Sequence, residues 1–392
     1  MSNGDGARHS RRRGPSRRSL TGILVMVGAS AVALLVGIGF HGSSSPAAAS
    51  KPVPSATAAR ATAPTSGQGS DRTPIPLGIT DQNFVTEPPA VLDADIRAMQ
   101  AIGVNSVRIA ALWNWIQPDG PATYDWTQLD HTVRALRDAG MSIDLLVDGC
   151  PPWAATAGVN DAAGNAQPAS AAQFGTYAAA VAEHYAPDGI SLFEIWNEPN
   201  LSLFWAPKPD PAAYVADLEA AYSAIKQVDS SATVIAGGLS PAGYPGEIPP
   251  VQFLQTLYQD GAKGYFDGVA FHPYTYPAMP NTPGATSGWA EMAKTSPSLR
   301  SVMASYGDGS MKIWVTEYGA PSAGATGVGN TGEANEITQA IADAAKTPWI
   351  AALYIYSWRD STDYFGLLTA DGTPKPAYYA VQAASAKYLS HG

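Results

Sequence analysis

The sequence predicts an α/β chain whose main part is a single (β/α)8 barrel, and three observations carry that expectation. Strand-like and helix-like segments alternate eight times between Pro74 and the C-terminus. Connections leaving the strands are long and those leading into them short, the asymmetry of a barrel with one elaborated face. Two strands end in a glutamate followed at once by turn-forming residues: Phe193-Glu194-Ile195-Trp196-Asn197-Glu198-Pro199-Asn200 and Ile313-Trp314-Val315-Thr316-Glu317-Tyr318-Gly319.

Taken in order, apolar runs rich in β-branched and aromatic residues predict strands at 75–80, 104–112, 142–148, 191–197, 233–239, 266–273, 311–317 and 350–358. Helix-like stretches fall near 90–102, 127–139, 170–184, 211–227, 251–260, 288–304, 333–346 and 375–388. Gly140 and the 229–232 stretch are the short connections; 149–169, 199–210, 275–286, 319–332 and 360–374 are the long ones. An open, doubly wound sheet is the competing architecture. The count of eight and the lack of a Gly-rich turn after the first strand argue against it.

The first 40 residues are of a different kind. Arginines at 8, 11, 12, 13, 17 and 18 precede an uncharged stretch from Gly22 to Phe40, and Ser44-Ser45-Pro46-Ala47-Ala48-Ala49 follows. That is the layout of an export signal with a small-residue cleavage site. Ser16-Arg17-Arg18-Ser19-Leu20 resembles part of a twin-arginine signal. As a helix the stretch would span about 28 Å, so an uncleaved membrane anchor through residues 22–40 is the alternative. Either way the barrel is expected outside the cytoplasm, secreted or at the cell envelope. Residues 41–73, rich in Ala, Ser, Pro and Thr, read as an extended linker, and 74–392 as the barrel domain.

Before Ser50 there are six Arg and one Asp; the remaining 17 basic and 32 acidic residues give a net charge of −15. Such a body repels nucleic acid, so no nucleic-acid partner is expected. Cys150 is the single cysteine, so no internal disulfide exists, and between Gly149 and Pro151 it reads as a small loop hydrophobe. The six histidines are dispersed with no i, i+4 pair, so neither a metal site nor a cofactor is expected.

Carboxylates at the C-terminal ends of two barrel strands are what glycosidic bond cleavage needs. One must protonate the leaving oxygen; the other must stabilise or attack an oxocarbenium-like carbon. Asn197-Glu198-Pro199 resembles the signature of the clan A retaining glycoside hydrolases, and the run from Phe193 to Asn200 is most similar to families 39 and 5 (cellulase-like). The resemblance spans roughly Leu77 to Tyr388 through scattered short motifs. It implies Glu198, ending the fourth strand, as acid/base and Glu317, ending the seventh, as nucleophile. It further implies that Asn197 bonds the sugar 2-hydroxyl and that Arg108 keeps the nucleophile ionised. His272 and Tyr274, in Phe271-His272-Pro273-Tyr274, would then hydrogen-bond around the nucleophile, and Trp358 would form an aromatic floor under the cleaved sugar.

Other residues keep two readings. Arg108 pairs either with the nucleophile or with Glu194, which shares the side of Glu198 by strand periodicity and needs a partner if it lies inside the barrel. Asp148 is a weaker site candidate or a turn residue, and Tyr318 a packing residue. Trp113, Trp115, Trp153, Trp205 and Trp289 are either subsite walls or core. Gly327-Val328-Gly329-Asn330-Thr331-Gly332 matches a dinucleotide-binding pattern but follows the seventh strand, and reads as a flexible active-site loop. The expected function is an exported retaining hydrolase of a poly- or oligosaccharide, a cell-wall or matrix polymer for preference. A non-catalytic sugar-binding barrel (an adhesin) and a transglycosylase are the alternatives.

Overall fold

A computed structural model describes Met1 and residues 74–389, apart from 160, 162 and 283–286. Except for Met1, the expected export segment and linker lie outside the described residues. Eight parallel strands close into a barrel in sequence order: β1 (Leu77–Thr80), β2 (Ser106–Leu112), β3 (Ser142–Asp148), β4 (Leu192–Asn197), β5 (Thr233–Leu239), β6 (Gly268–Phe271), β7 (Lys312–Tyr318) and β8 (Ile350–Tyr356). Closure is through β1 and β8, which pair from Leu77 with Leu353 to Thr80 with Tyr356.

Around the barrel run α1 (Pro89–Ala101), α2 (Trp113–Ile116), α3 (Thr127–Asp138), α4 (Ala171–Tyr185), α5 (Pro211–Val228), α6 (Pro250–Gln259), α7 (Gly288–Glu291), α8 (Leu299–Ser305), α9 (Gly329–Lys346) and α10 (Pro376–Tyr388). Among the described residues, no helix is long and apolar enough to cross a membrane.

Three segments depart from the sequence expectation for local reasons. The helix expected over 288–304 is two, because Pro297 lacks the N–H a continuous helix needs. Ser298 restarts the chain with a reciprocal capping box to Ser301. Strand β6 stops at Phe271, two residues short, ahead of Pro273. Helix α9 begins at Gly329, so the second half of the glycine pattern is a helix's first turn rather than a loop.

The strands are buried on both faces, outward against the helices and inward against each other. Inward space is shaped by glycine. A Cβ on Gly78 would lie 2.1 Å from the Tyr354 ring, and one on Gly268 2.1 Å from the Trp314 ring. Two strands therefore give up side chains so that two large rings from β8 and β7 can fill the barrel. Tyr354 finds its polar partner in Ser106, 3.0 Å away.

Candidate active site

At the C-terminal mouth of the barrel the chain departs from regular strand geometry. In β4, Trp196 has φ 68° and, just beyond it, Glu198 has φ 46°, left-handed values that are uncommon outside glycine. The turn at Trp196 sends its indole outward, where the ring meets Phe174 and Trp205 and its N–H donates to the Phe204 carbonyl at 2.8 Å. It also breaks the two-residue alternation, so Asn197 turns inward on the same side as Glu194. Glu198 is held by its own N–H on the Gly238 carbonyl, 3.0 Å, and by the Leu201 N–H on its carbonyl, 2.9 Å. Strand β5 makes room for this. A Cβ on Gly237 would fall 2.2 Å from the Trp196 carbonyl oxygen, and one on Gly238 2.2 Å from His272 Nε2.

Arg108, rising from β2, organises the floor. Its guanidinium carries five N–H groups and makes five hydrogen bonds. Nε donates to Glu194 Oε2 at 2.7 Å, and Nη2 to Glu194 Oε1 at 3.0 Å and Asn197 Oδ1 at 2.9 Å. Nη1 donates to Glu317 Oε1 at 2.8 Å and Thr80 Oγ1 at 3.2 Å. Burial alone would lower its pKa, but Glu194 and Glu317 overcome this and hold it above the ordinary arginine value. Both readings of Arg108 therefore hold at once: it pairs with Glu194 and with Glu317.

The second oxygen of Glu317 accepts from the Tyr274 hydroxyl at 2.8 Å. Burial and then the Glu317 charge push the Tyr274 pKa well up, so the phenol keeps its proton and remains a donor. His272 Nδ1 lies 2.8 Å from Glu198 Oε1 and 3.6 Å from Glu317 Oε2, while Nε2 lies 3.1 Å from Thr316 Oγ1. Burial lowers the His272 pKa to about 4 against the pull of Glu317, so the ring is neutral near pH 7. Glu198, His272 and Glu317 each offer a ligand atom within 4.8 Å of the others, close enough to hold a cation. Those atoms already face proton donors and acceptors, however, with a guanidinium on Glu317, so the array suits proton handling better than metal binding.

A cavity of about 210 Å3 opens above Arg108, Asn197 and Glu317. Its aromatic walls are Trp115, Phe204 and Tyr356; Asp81, Asp148 and Arg359 add polar groups. Burial raises Asp148 to about 7 and Asp81 to about 6. Asp148 thus lines the site, the first of its two sequence readings.

Trp358 does not form the floor. It is fully buried, its ring lies 6.1 Å from that of Tyr378 in α10, and its indole N–H has no hydrogen-bond partner among the described residues. The aromatic that β8 presents to the cavity is Tyr356, its hydroxyl donating to Asp363 at 2.7 Å. Of the five other tryptophans singled out, Trp115 lines the cavity. Trp113, Trp205 and Trp289 are buried, and Trp153 stands edge-on to Trp113 at 5.4 Å. Tyr318 packs, bonding Thr275 and Glu336, and the Cys150 thiol is pushed up to about 12 by burial, an inert group.

Sequence reasoning missed Thr316, Asp144 and Tyr356. Asp144, inside the barrel on β3, is raised well above the ordinary aspartate pKa by burial and then by Glu194, and neither of its oxygens has a hydrogen-bond partner among the described residues. A polar residue at mid-strand in an apolar run was the available signal for Thr316 and Asp144.

The chain matches the family model "Cellulase (glycosyl hydrolase family 5)" over residues 71–358. Similar solved structures include a family 39 glycoside hydrolase from Bacteroides cellulosilyticus WH2, with TM-score 0.62 and 20% identity over 80% of this chain and 63% of that one. A GH5_18 protein from Streptomyces cattleya in complex with GlcNAc gives TM-score 0.61 and 19% identity over 82% of each chain. At these identities the likeness is one of fold. A β-amylase from Trifolium repens is 27% identical over 73 residues, which span 19% of this chain and 15% of that protein's length.

Proposed function

This chain belongs to the cellulase family, glycosyl hydrolase family 5, and we propose that it cleaves O-glycosidic bonds of a poly- or oligosaccharide with retention of configuration. The observation that carries the reading is the spacing of the two carboxylates: ligand atoms of Glu198 and Glu317 lie within 4.8 Å. Retaining enzymes hold their carboxyl groups about 5 Å apart, whereas inverting ones leave a wider gap for water.

Glu317 is the nucleophile. Arg108 and Tyr274 each donate to one of its oxygens, which fixes the carboxylate's orientation for attack. A sugar seated in the cavity presents its anomeric carbon to Glu317 while Glu198 protonates the departing oxygen. The resulting ester is opened by water, with Glu198 now taking the proton. Asn197 lines the cavity, and with its side-chain oxygen accepting from Arg108 its amide N–H groups are the donors left for the sugar 2-hydroxyl. Tyr356 offers a face for the sugar's C–H groups to stack on.

Export by the N-terminal segment, cleaved or kept as an anchor, places this activity at the cell envelope or outside it, where a wall or matrix polysaccharide is the substrate within reach. The test is reducing-sugar release across a panel of polysaccharides and aryl glycosides. Glu317→Ala and Glu198→Ala are each expected to lose at least about 100-fold in turnover. Azide should rescue the first as a glycosyl azide of inverted configuration and the second as one of retained configuration. Native rates in either variant refute the assignment; sugar binding without release by the wild type favours a non-catalytic barrel.

A further inference from the structure

Beyond the two glutamates, the site holds a chain of hydrogen bonds whose polarity can be worked out proton by proton. It starts at Glu194. That carboxylate receives Arg108 Nε and Nη2, the Gly238 N–H at 2.8 Å and the Thr316 hydroxyl at 3.3 Å. Every one of these neighbours is a donor, so Glu194 acts as an acceptor throughout.

Thr316 has one hydroxyl proton, and it is spent on Glu194. What Thr316 turns toward His272 Nε2, 3.1 Å away, is therefore a lone pair. Only a protonated Nε2 can bond to it. A neutral imidazole carries one N–H, so Nδ1 is left bare, and it faces Glu198 Oε1 at 2.8 Å. Two lone pairs at that distance repel, so the proton between them must belong to Glu198.

We propose that Thr316, oriented by Glu194, is a positioning residue that fixes His272 as the Nε2–H tautomer and thereby keeps Glu198 protonated in the resting enzyme. The inference rests on the reading of Glu198 as acid/base and adds the device that loads it. The proton waits on Oε1 against Nδ1; rotation about the carboxyl C–O bond turns it to the leaving oxygen, and no other group is oxidised, reduced or consumed. Afterwards the Glu198 carboxylate sits beside an imidazole lone pair, which makes it a stronger base for the water step. One fixed tautomer thus serves both half-reactions.

The charged and titratable groups around this pair are Arg108 from β2, Glu194 from β4, Glu317 from β7, and Tyr274 two residues beyond His272 itself. Burial of the ring and the nearby Arg108 charge both oppose a second proton on His272, which keeps the count at one N–H. The competing tautomer would need the Thr316 proton to turn from Glu194 to Nε2, giving up a bond to a carboxylate for one to a neutral ring.

The test reads the protons directly. In the purified protein labelled with 15N-histidine, two-bond 1H–15N correlations separate the two tautomers, and His272→Gln assigns the signal. The expected result is the Nε2–H form. With 13C-carboxyl glutamate, assigned by Glu198→Gln, the Glu198 titration midpoint should fall by about one pH unit in Thr316→Val, a tenfold rise in its ionisation constant. Loss of the hydroxyl frees the ring to adopt Nδ1–H, which favours ionised Glu198. Thr316→Ser should restore both signals.

An Nδ1–H ring in the native protein overturns the proposal, as does an unmoved Glu198 midpoint in folded Thr316→Val. If that variant does not fold, the native tautomer decides alone. Full activity in Glu198→Gln would instead sink the acid/base assignment while leaving the tautomer result as it stands.

Discussion

Gly238→Ala isolates the placement of His272 from its chemistry, because it adds one methyl group and changes no functional side chain. The new Cβ would lie 2.2 Å from His272 Nε2 and 2.8 Å from the neighbouring ring carbons. Ordinary contact begins at 3.4 Å, so the ring must retreat by at least 1.2 Å or β5 must move. A retreat of that size stretches contacts that now measure 2.8 Å to Glu198 and 3.1 Å to Thr316. Displacements near 1 Å at a catalytic group cost roughly 100-fold in rate, and overpacking costs about 1–3 kcal/mol of stability. Turnover should therefore fall about 100-fold with KM little changed, since Arg108, Asn197 and Tyr356 keep their places on the cavity wall. Steady-state kinetics at several pH values, beside urea unfolding, measures both quantities. Gly175→Ala is the control: its Cβ would press on Ala220 at 3.0 Å, between α4 and α5, costing stability away from the site. Native turnover in a folded Gly238→Ala, or an equal loss in the control, would refute the claim that His272 must stand where it does.

Two more expectations follow from the same geometry. His272 has a pKa of about 4 in the fold against 6.5 for the free side chain, so between those values the unfolded chain binds the extra proton. The stability this represents is present above pH 6.5 and is lost as pH falls toward 4, by about 3 kcal/mol. His272→Gln should flatten that part of the stability curve in urea titrations at pH 7 and pH 4.5, and an unchanged slope would count against a buried neutral ring. Tyr356→Ala should raise KM about tenfold by removing a stacking face, whereas Trp358→Phe should leave KM alone and cost about 1 kcal/mol of packing; the reverse pattern would return the floor to Trp358.

Much of the barrel was legible because a parallel sheet buried on both faces must be written in apolar, β-branched runs, and each of the eight was visible. The two glutamates stood out for the opposite reason: each is a charged group closing an apolar run, at the strand end that opens on a barrel's elaborated face. What the sequence hid was set by backbone turns and by space. Counting by twos along β4 puts Asn197 on the face opposite Glu194; the left-handed turn at Trp196 brings it round to the same arginine. Trp358 carried the expected residue type at the expected strand end, yet the chain turns its indole into the helical layer and leaves Tyr356 at the cavity. Gly237 and Gly238 read as ordinary strand residues until the ring and carbonyl pressed against them are known. Pro297, by contrast, was a visible break in the sixth helical stretch.

Arg108 pairs with Glu194 and with Glu317 at once. A guanidinium has two edges and five donors, and a site that buries it must engage them all. One edge lies against Glu194, so the charge is already paired whether or not Glu317 carries its own. In the proposed mechanism Glu317 becomes an ester and loses its charge, and Arg108 would then not be left as an isolated buried cation. Its remaining bonds to Glu194, Asn197 and Thr80 hold the floor still through the covalent intermediate. On that proposal Glu194, facing protein donors alone, keeps the partner of Glu317 in place across both steps, and through Thr316 it reaches His272 and Glu198 as well.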